Sequence, residues 1–395
     1  MGGAMMAEER GPLKVVFAEA GSGAGGSAMS LLRILRVLRE EHAALIEPTV
    51  VTLSTRAARR FQEAGLPWFS LTSQRFWGRF RQMRAILKET GAELVHCNNP
   101  PYDHIPLVFA ARSRGLPVTL HFRVSRALSM GERLTLRFVR HVFAVSEEGA
   151  SVLRKQTALP PGRVTFLGEG VFLGEYTRAA LTRGPMRERL GLARGDFAVL
   201  LPATLQPGKG QDTVIAAALI EAQATPRAGG QASDPPATGR IVWLLAGGEH
   251  YQAQGFAKKL MAILRERKLE ARVRLLGHRR DMPELLAACD VVALPSELAE
   301  GTPCAVIEAF AAGRPVATTR VGGLGGMVDG TVGVLIEPRD ARALAEAVVL
   351  LRDDPVLRAH LGANALRRAE ENHDIRRVVM ELVQTLLAVA RPKTE

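Results

Sequence analysis

Short apolar runs alternate with amphipathic stretches almost from end to end of this chain, and nothing else in the sequence limits its fold as strongly. In the first half the runs predict strands at LKVVFA (13–18), PTVVTL (48–53), AELVHC (92–97), LPVTLH (116–121), HVFAVS (141–146) and RVTFLG (163–168). Between them, SAMSLLRILRVLREE (27–41) repeats apolar residues at intervals of three and four, the period of an amphipathic helix. The second half repeats the theme at FAVLLPAT (197–204), RIVWLLAG (240–247), ARVRLLG (271–277), DVVALPS (290–296), RPVATT (314–319) and VGVLIEP (332–338). The expectation is an α/β protein with two parallel sheets flanked by helices: one domain over 12–176, a second over 177–372, and a C-terminal helix, 373–395, packing back on the first. FLGEYTRAALTRG (172–184) reads as the connection between the halves, and QATPRAGGQASDPPATG (223–239) as a long surface loop.

The 395 residues are enough for two ordinary domains. Nothing approaches the roughly 18 consecutive apolar residues of a membrane-spanning helix. The first residues lack a secretory apolar run, and Met6 stands where a myristoylation signal needs Ser or Thr. A cytoplasmic protein is expected. Cys97, Cys289 and Cys304 are too scattered for a disulfide framework or a zinc site. The 52 Lys and Arg against 40 Asp and Glu give a net charge of +12, which suits nucleic acid, an anionic membrane or phosphorylated substrates. No nucleic-acid motif accompanies it, so no nucleic-acid partner is expected.

The segment PSELAEGTPCAVIEAFAAGRPVATTRVGG (295–323) carries the sharpest chemistry. A buried strand runs into an acidic, glycine-containing loop. Thr302 is placed to cap a helix with Pro303 at its first position, Glu308 lies about one and a half turns in, and Gly313 ends it. Glu300 sits in the loop and Glu308 on the helix flank, so one carboxylate can accept hydrogen bonds from a sugar's hydroxyls while the other takes the vicinal diol of a ribose. The N–H groups of Gly301, Thr302 and Cys304, with Pro303 shaping the turn, can face a sugar or a phosphate. Two glutamates eight positions apart, followed in order by Gly313, Pro315, Val321, Gly322 and Gly323, resemble the family-4 retaining glycosyltransferases of the GT-B fold. That resemblance implies two facing Rossmann-like domains, a first glutamate on the donor sugar and a second on the nucleotide ribose.

Three further segments extend it. In FAVLLPATLQPGKGQDTVIAAALI (197–220), Lys209 and Gly210 stand at a helix entrance, where a lysine and free N–H groups suit a departing diphosphate. The family usually has Gly-Arg where this chain has Ala203-Thr204, so Thr204 occupies the place of a second cation. In EAGSGAGGSAMSLL (19–32), Gly25 and Gly26 match the glycine pair that lets the family's backbone approach donor and acceptor. The spacing of Gly21, Gly23 and Gly26 also fits a dinucleotide fingerprint, but no acid ends the second strand to bind a ribose. His121 closes a predicted strand and resembles the family's active-site histidine, whereas His96 and His104 are set aside. LLGHRRDMPELLAACDVVALPS (275–296) resembles the segment whose main chain meets the nucleotide base around His278 and Arg279. Glu169-Gly170-Val171-Phe172 departs from the family's Asn-Gly-Val-Asp, and Gly325-Gly326 from its Pro-Glu.

The resemblance implies a hexosyltransferase that moves a sugar from a nucleoside diphosphate, with retention, to a lipid-linked or polysaccharide acceptor in cell-envelope polysaccharide biosynthesis. His121, Lys209 and Glu300 would be catalytic. No cofactor is expected beyond the nucleotide-sugar co-substrate. No Asp-x-Asp stands at a strand end and no His/Cys cluster is present, so no metal is expected either. A nucleotide-sugar epimerase and a non-catalytic nucleotide-sugar binder remain as alternatives. Residues 55–88 hold eight basic residues, Arg56, Arg59, Arg60, Arg75, Arg79, Arg81, Arg84 and Lys88, against one acid, Glu63. They are interleaved with Phe61, Trp68, Phe69, Phe76, Trp77, Phe80 and Met83, a pattern that fits either a helix on an anionic membrane or an ordinary amphipathic helix over 74–90.

Overall fold

The computed structural model describes residues 11–21, 26–53, 55–123, 126–224, 239–250, 252–298 and 302–392. Gly25, Glu300, Gly301 and most of the 223–239 loop lie outside the described residues. The chain divides into two compact units. One runs to Gly170 and resumes at His373; the other spans Val171–Asn372.

The first unit is built on seven strands: β1 (Leu13–Glu19), β2 (Ile46–Thr52), β3 (Trp68–Ser70), β4 (Leu94–Cys97), β5 (Val118–Phe122), β6 (His141–Ala144) and β7 (Val164–Phe166). Their order is β3-β2-β1-β4-β5-β6-β7, and every neighbouring pair is parallel. The second unit holds β8 (Phe197–Pro202), β9 (Ile241–Ala246), β10 (Val273–Gly277), β11 (Val291–Leu294), β12 (Val316–Thr319) and β13 (Gly333–Ile336). They are ordered β10-β9-β8-β11-β12-β13, again all parallel. β4, β5, β6, β9, β11 and β12 are buried along their whole length. Burial on both faces is why β9 and β11 read as unbroken apolar runs and the others as largely apolar ones. Both units are Rossmann-like, as expected. In each sheet the winding reverses beside the first strand, between β1 and β4 and between β8 and β11. The loops leaving those strand ends diverge, and doubly wound sheets bind ligands in that crevice.

β3 was not expected. Its three residues are half-exposed at the sheet edge and sit within the basic, aromatic stretch, too short for a periodicity to show. The expected connection at 172–184 is instead largely helical: Leu173–Ala180 and Arg183–Arg189 pack on the helix Met282–Ala288, and Val171 and Tyr176 enter the second unit's core. The division therefore falls after Gly170.

The chain crosses back at His373. Asp374 caps the helix Ile375–Ala390 by accepting the N–H of Arg376 at 2.9 Å. Within the first unit this helix packs on Gly26–Glu41, burying Ile375, Val378, Val379, Leu382, Val383 and Leu386. Each such side chain contributes roughly 1.5–3 kcal/mol when fully buried, so an apolar face rather than chain order decides which unit holds it. No helix among the described residues is long and apolar enough to cross a membrane.

Candidate functional site

At the switch point of the second unit, hydroxyls from β12 hold the chain as it leaves β11. Thr318 Oγ1 donates to the carbonyl of Leu294 at 2.7 Å, and Thr319 Oγ1 to that of Ser296 at 2.5 Å. The helix Cys304–Ala311 follows. Its N-cap is Pro303 in extended backbone (φ −70°, ψ 116°), not Thr302 as expected, so the helix begins one residue later and no side chain caps it. Proline can hold that extended angle, and Cys304 then opens the helix. Val306, Ile307, Ala309, Phe310 and Ala311 face the core, which leaves Glu308 half-buried on the flank. Gly313 ends the helix at φ 63°. Its N–H donates to Phe310 at 2.9 Å while Arg314 donates to Ala309 at 2.8 Å, the reciprocal pair that satisfies helix-end carbonyls.

The turn after β8 is pressed against this loop. Gly208 and Gly210 both lie in the left-handed region (φ 83° and 84°), with half-buried Lys209 between them. The carbonyl of Gly208 accepts the N–H of Glu297 at 2.9 Å. A Cβ at Gly210 would fall 2.4 Å from the carbonyl oxygen of Pro295, so only glycine permits the contact. Gln211, the first residue of the helix Gln211–Ala224, donates its amide to the carbonyl of Thr204 at 3.0 Å and closes the turn. Lys209 and Gly210 thus share one edge with the start of the loop that leads on to Glu300. A lysine beside a helix entrance is an anion-binding arrangement.

The edge continues to β9 and β10. Leu205 donates to the carbonyl of Gly248 at 2.9 Å, and a Cβ at Gly248 would meet that of His278 at 3.5 Å. His278 is exposed. Arg279 donates to both carboxylate oxygens of Asp281, at 2.8 and 2.6 Å. That pair raises the arginine's pKa and lowers the aspartate's. The guanidinium is engaged in its own turn.

In the first unit His121 is the penultimate residue of β5, with 2% of its surface exposed. Its Nδ1 lies 2.7 Å from Nε2 of His96 on β4, whose Nδ1 lies 2.8 Å from Thr119 Oγ1. Burial first, then the charge of Arg123, pushes His96 down to about 3 and His121 well below its ordinary value. Gly26 opens the helix Gly26–Glu41. The two flanks of the glycine segment are tied to one oxygen of buried Glu19, which accepts the Gly21 N–H at 2.7 Å and the Ser27 hydroxyl at 3.2 Å. Asn98 donates to the other oxygen. Arg123 donates to the carbonyl and the side-chain oxygen of Asn98, both at 2.8 Å, and pairs with Glu169, which also accepts from Ser30. The departure at Glu169 therefore has a partner, a half-buried arginine 46 positions earlier in the chain.

Sequence reasoning passed over Glu19, Asn98 and Arg123. One signal was present: the buried runs of β1, β4 and β5 end in polar residues (FAEA, HCNN, LHFR) at the ligand-binding end of a parallel sheet.

Residues 24–174 match the family described as Glycosyltransferase Family 4, and residues 204–354 the family described as Glycosyl transferases group 1. The UDP-Gal:alpha-D-GlcNAc-diphosphoundecaprenol alpha-1,3-galactosyltransferase of Escherichia coli is 27% identical over 288 residues, 69% of each chain. The D-inositol 3-phosphate glycosyltransferase of Thermomonospora curvata is 30% identical over 247 residues, 61% of this chain and 55% of that enzyme, so the match spans little more than half its length. Among solved structures, Anabaena Alr3699/HepE in complex with UDP superposes with a TM-score of 0.79 at 22% identity, covering 95% of this chain and all of that one. A glycosyltransferase from Rickettsia africae does so with a TM-score of 0.80 at 14% identity, covering 97% of this chain and 100% of that one. With one such match on each unit and both units folded alike, the chain belongs to the family-4 glycosyltransferases of the GT-B fold.

Proposed function

We propose that this protein transfers a hexose or related sugar from a nucleoside diphosphate to a lipid-linked or polysaccharide acceptor, with retention of anomeric configuration and without a metal ion. The observation that carries the reading is the contact of Gly210 with Pro295, which puts Lys209 on the edge from which the loop to Glu300 and the helix Cys304–Ala311 depart. Negative charge builds on the diphosphate as the sugar leaves. Lys209 and the N–H groups of Gly301, Thr302 and Cys304 are assigned to stabilise it. Glu308 is assigned the ribose diol, Glu300 the hydroxyls of the donor sugar, and His121 a further contact with that sugar.

The Escherichia coli relative, whose name specifies a UDP-sugar donor and a diphosphoundecaprenol acceptor, supports a nucleotide sugar and a lipid-linked acceptor here. A surface suited to that acceptor lies on the first unit. The helix Phe76–Glu89 buries Met83, Ile86 and Leu87 but leaves Trp77 66% and Phe76 41% exposed. Phe76 packs on Trp77 and Phe109, and Phe109 on Phe138, at centroid distances of 5.2–6.4 Å, extending the aromatic row onto neighbouring segments. Arg75, Arg81, Arg84 and Lys88 on the same segment are exposed. Aromatics with a basic fringe fit an anionic membrane surface.

Thr204, where a second cation would be expected, favours one alternative: a protein that binds nucleotide sugar without turning it over. A panel of UDP-, GDP- and ADP-sugars, offered with a polyprenyl-diphosphate saccharide in excess EDTA, tests the proposal. Nucleotide release with an α-linked product from an α-linked donor is expected. Release only after Mg or Mn is added, or inversion at the anomeric carbon, would overturn the mechanism.

A further inference from the structure

We propose that Thr119 and His96 form a hydrogen-bond relay that locks His121 as its Nε2–H tautomer, so that His121 meets a bound oxygen as a neutral donor and not as a base. The tautomer follows from the first unit alone. Only the identity of the oxygen, a hydroxyl or phosphate of the donor, rests on the transferase reading.

The relay is built by strand register. His96 on β4 lies opposite Thr119 on β5, and His121 is two residues farther along the same face of β5. All three are buried, Thr119 and His96 completely. Thr119 Oγ1 lies 2.8 Å from Nδ1 of His96, and Nε2 of His96 lies 2.7 Å from Nδ1 of His121. Each gap holds one proton, and the protons can be threaded in two directions.

In one direction the Thr119 hydroxyl donates to Nδ1 of His96, Nε2–H of His96 donates to Nδ1 of His121, and His121 carries its own proton on Nε2. In the other, both rings are Nδ1–H, Thr119 only accepts, and Nε2 of His121 is a bare lone pair. The second leaves the hydroxyl proton of Thr119 without an acceptor, since among the described residues its only hydrogen-bond partner is His96. A buried donor left unmade is penalised, whereas the first direction satisfies every proton in the chain. A charged ring at either position would put protons on both of its nitrogens. Burial opposes that, as do the neighbouring charges of Arg123 and, at His96, any charge on His104.

The outward end is open to a ligand. Nε2 of His121 makes no hydrogen bond among the described residues, yet it is not sealed in, whereas both ring nitrogens of His104 are sealed and unpartnered. His96 and Thr119 are positioning residues on this account. They touch no substrate and act through His121.

The test uses the full chain, labelled with 15N-histidine and free of ligand, so it does not depend on finding a donor. Long-range proton–nitrogen correlation at neutral pH reports which ring nitrogen carries hydrogen, and the His121 signals are those lost in His121→Gln. Protonated Nε2 and bare Nδ1 at His121 are expected; an Nδ1–H tautomer or an imidazolium would overturn the proposal. Thr119→Val removes the leading proton and should shift His121 away from Nε2–H, while Thr119→Ser should restore it. An unchanged His121 in a folded Thr119→Val protein would dismiss the relay. Once a donor is known, His96→Leu should lower kcat about tenfold with little change in donor KM, the loss of one hydrogen bond. His96→Gln, whose amide can still donate to Nδ1, should recover part of that. Absence of turnover would count against the transferase reading and leave the spectrum to decide the tautomer.

Discussion

Gly210 rests on the carbonyl of Pro295 so closely that a Cβ there would lie 2.4 Å from the oxygen, and the contact joins the turn bearing Lys209 to the end of β11. Gly210→Ala is expected to lose both the left-handed angle, worth about 1–2 kcal/mol, and the close approach. The melting temperature should fall by roughly 4 °C or more, and stabilisation by UDP or GDP should weaken. Gly326→Ala, with no atom within 4 Å, serves as the control and should melt as wild type or slightly higher. Equal behaviour of the two variants would show that the contact does not shape the site.

The two glutamates should separate kinetically. Glu308→Ala is expected to raise the donor KM through lost ribose contacts, and Glu300→Ala to lower kcat more. A charged hydrogen bond is worth on the order of 1.5–3 kcal/mol, or roughly 10- to 150-fold. Wild-type kinetics in both single mutants would remove the assignment.

Strand positions and the duplicated α/β plan were legible because strands buried on both faces are largely apolar. The helix ending at Gly313 was legible for a related reason: few residues but glycine tolerate φ 63°. The start of that helix was misjudged by one residue, since Thr302 and Pro303 both look like caps and only the backbone angle decides between them. The Arg123–Glu169 pair was hidden because its members are 46 residues apart and each looks like a solvated charge in isolation. β3 was hidden because three half-exposed residues carry no period.

Acid should destabilise the protein through its buried imidazoles. Burial, with nearby charge second, pushes His96 and His104 down to about 3, whereas in the unfolded chain each titrates near 6.5. Between those values the unfolded chain binds more protons. Stability is therefore complete above the unfolded value and declines as the pH falls below it. At pH 5 each neutral histidine forfeits about 2 kcal/mol, so about 4 kcal/mol for the pair. Glu19, whose pKa burial raises, opposes the trend, because its protonation favours the fold. The melting temperature should be lower at pH 5 than at pH 7. His104→Leu, which removes two unpartnered nitrogens, should narrow the gap. Identical melting at both values would contradict the buried, neutral assignment.

Membrane attachment should depend on charge and on the aromatic row together. The protein is expected to sediment with anionic vesicles but not neutral ones at low salt, and to be released as salt screens the surface. Charge reversal at Arg79, Arg81 and Arg84, or Trp77→Ala, should reduce sedimentation without altering nucleotide-induced stabilisation. If the protein ignores anionic vesicles at low salt, the acceptor is a soluble saccharide or protein.

The central claim, sugar transfer from a nucleoside diphosphate, is tested most directly by balancing one reaction. A responsive donor is mixed with a lipid-linked saccharide, and free nucleoside diphosphate and glycosylated acceptor are counted in the same sample. The account predicts equal amounts of both, with little nucleotide released when acceptor is withheld. Conversion of the donor to an epimer without nucleotide release, or donor binding that stabilises the protein while neither product accumulates, would contradict it.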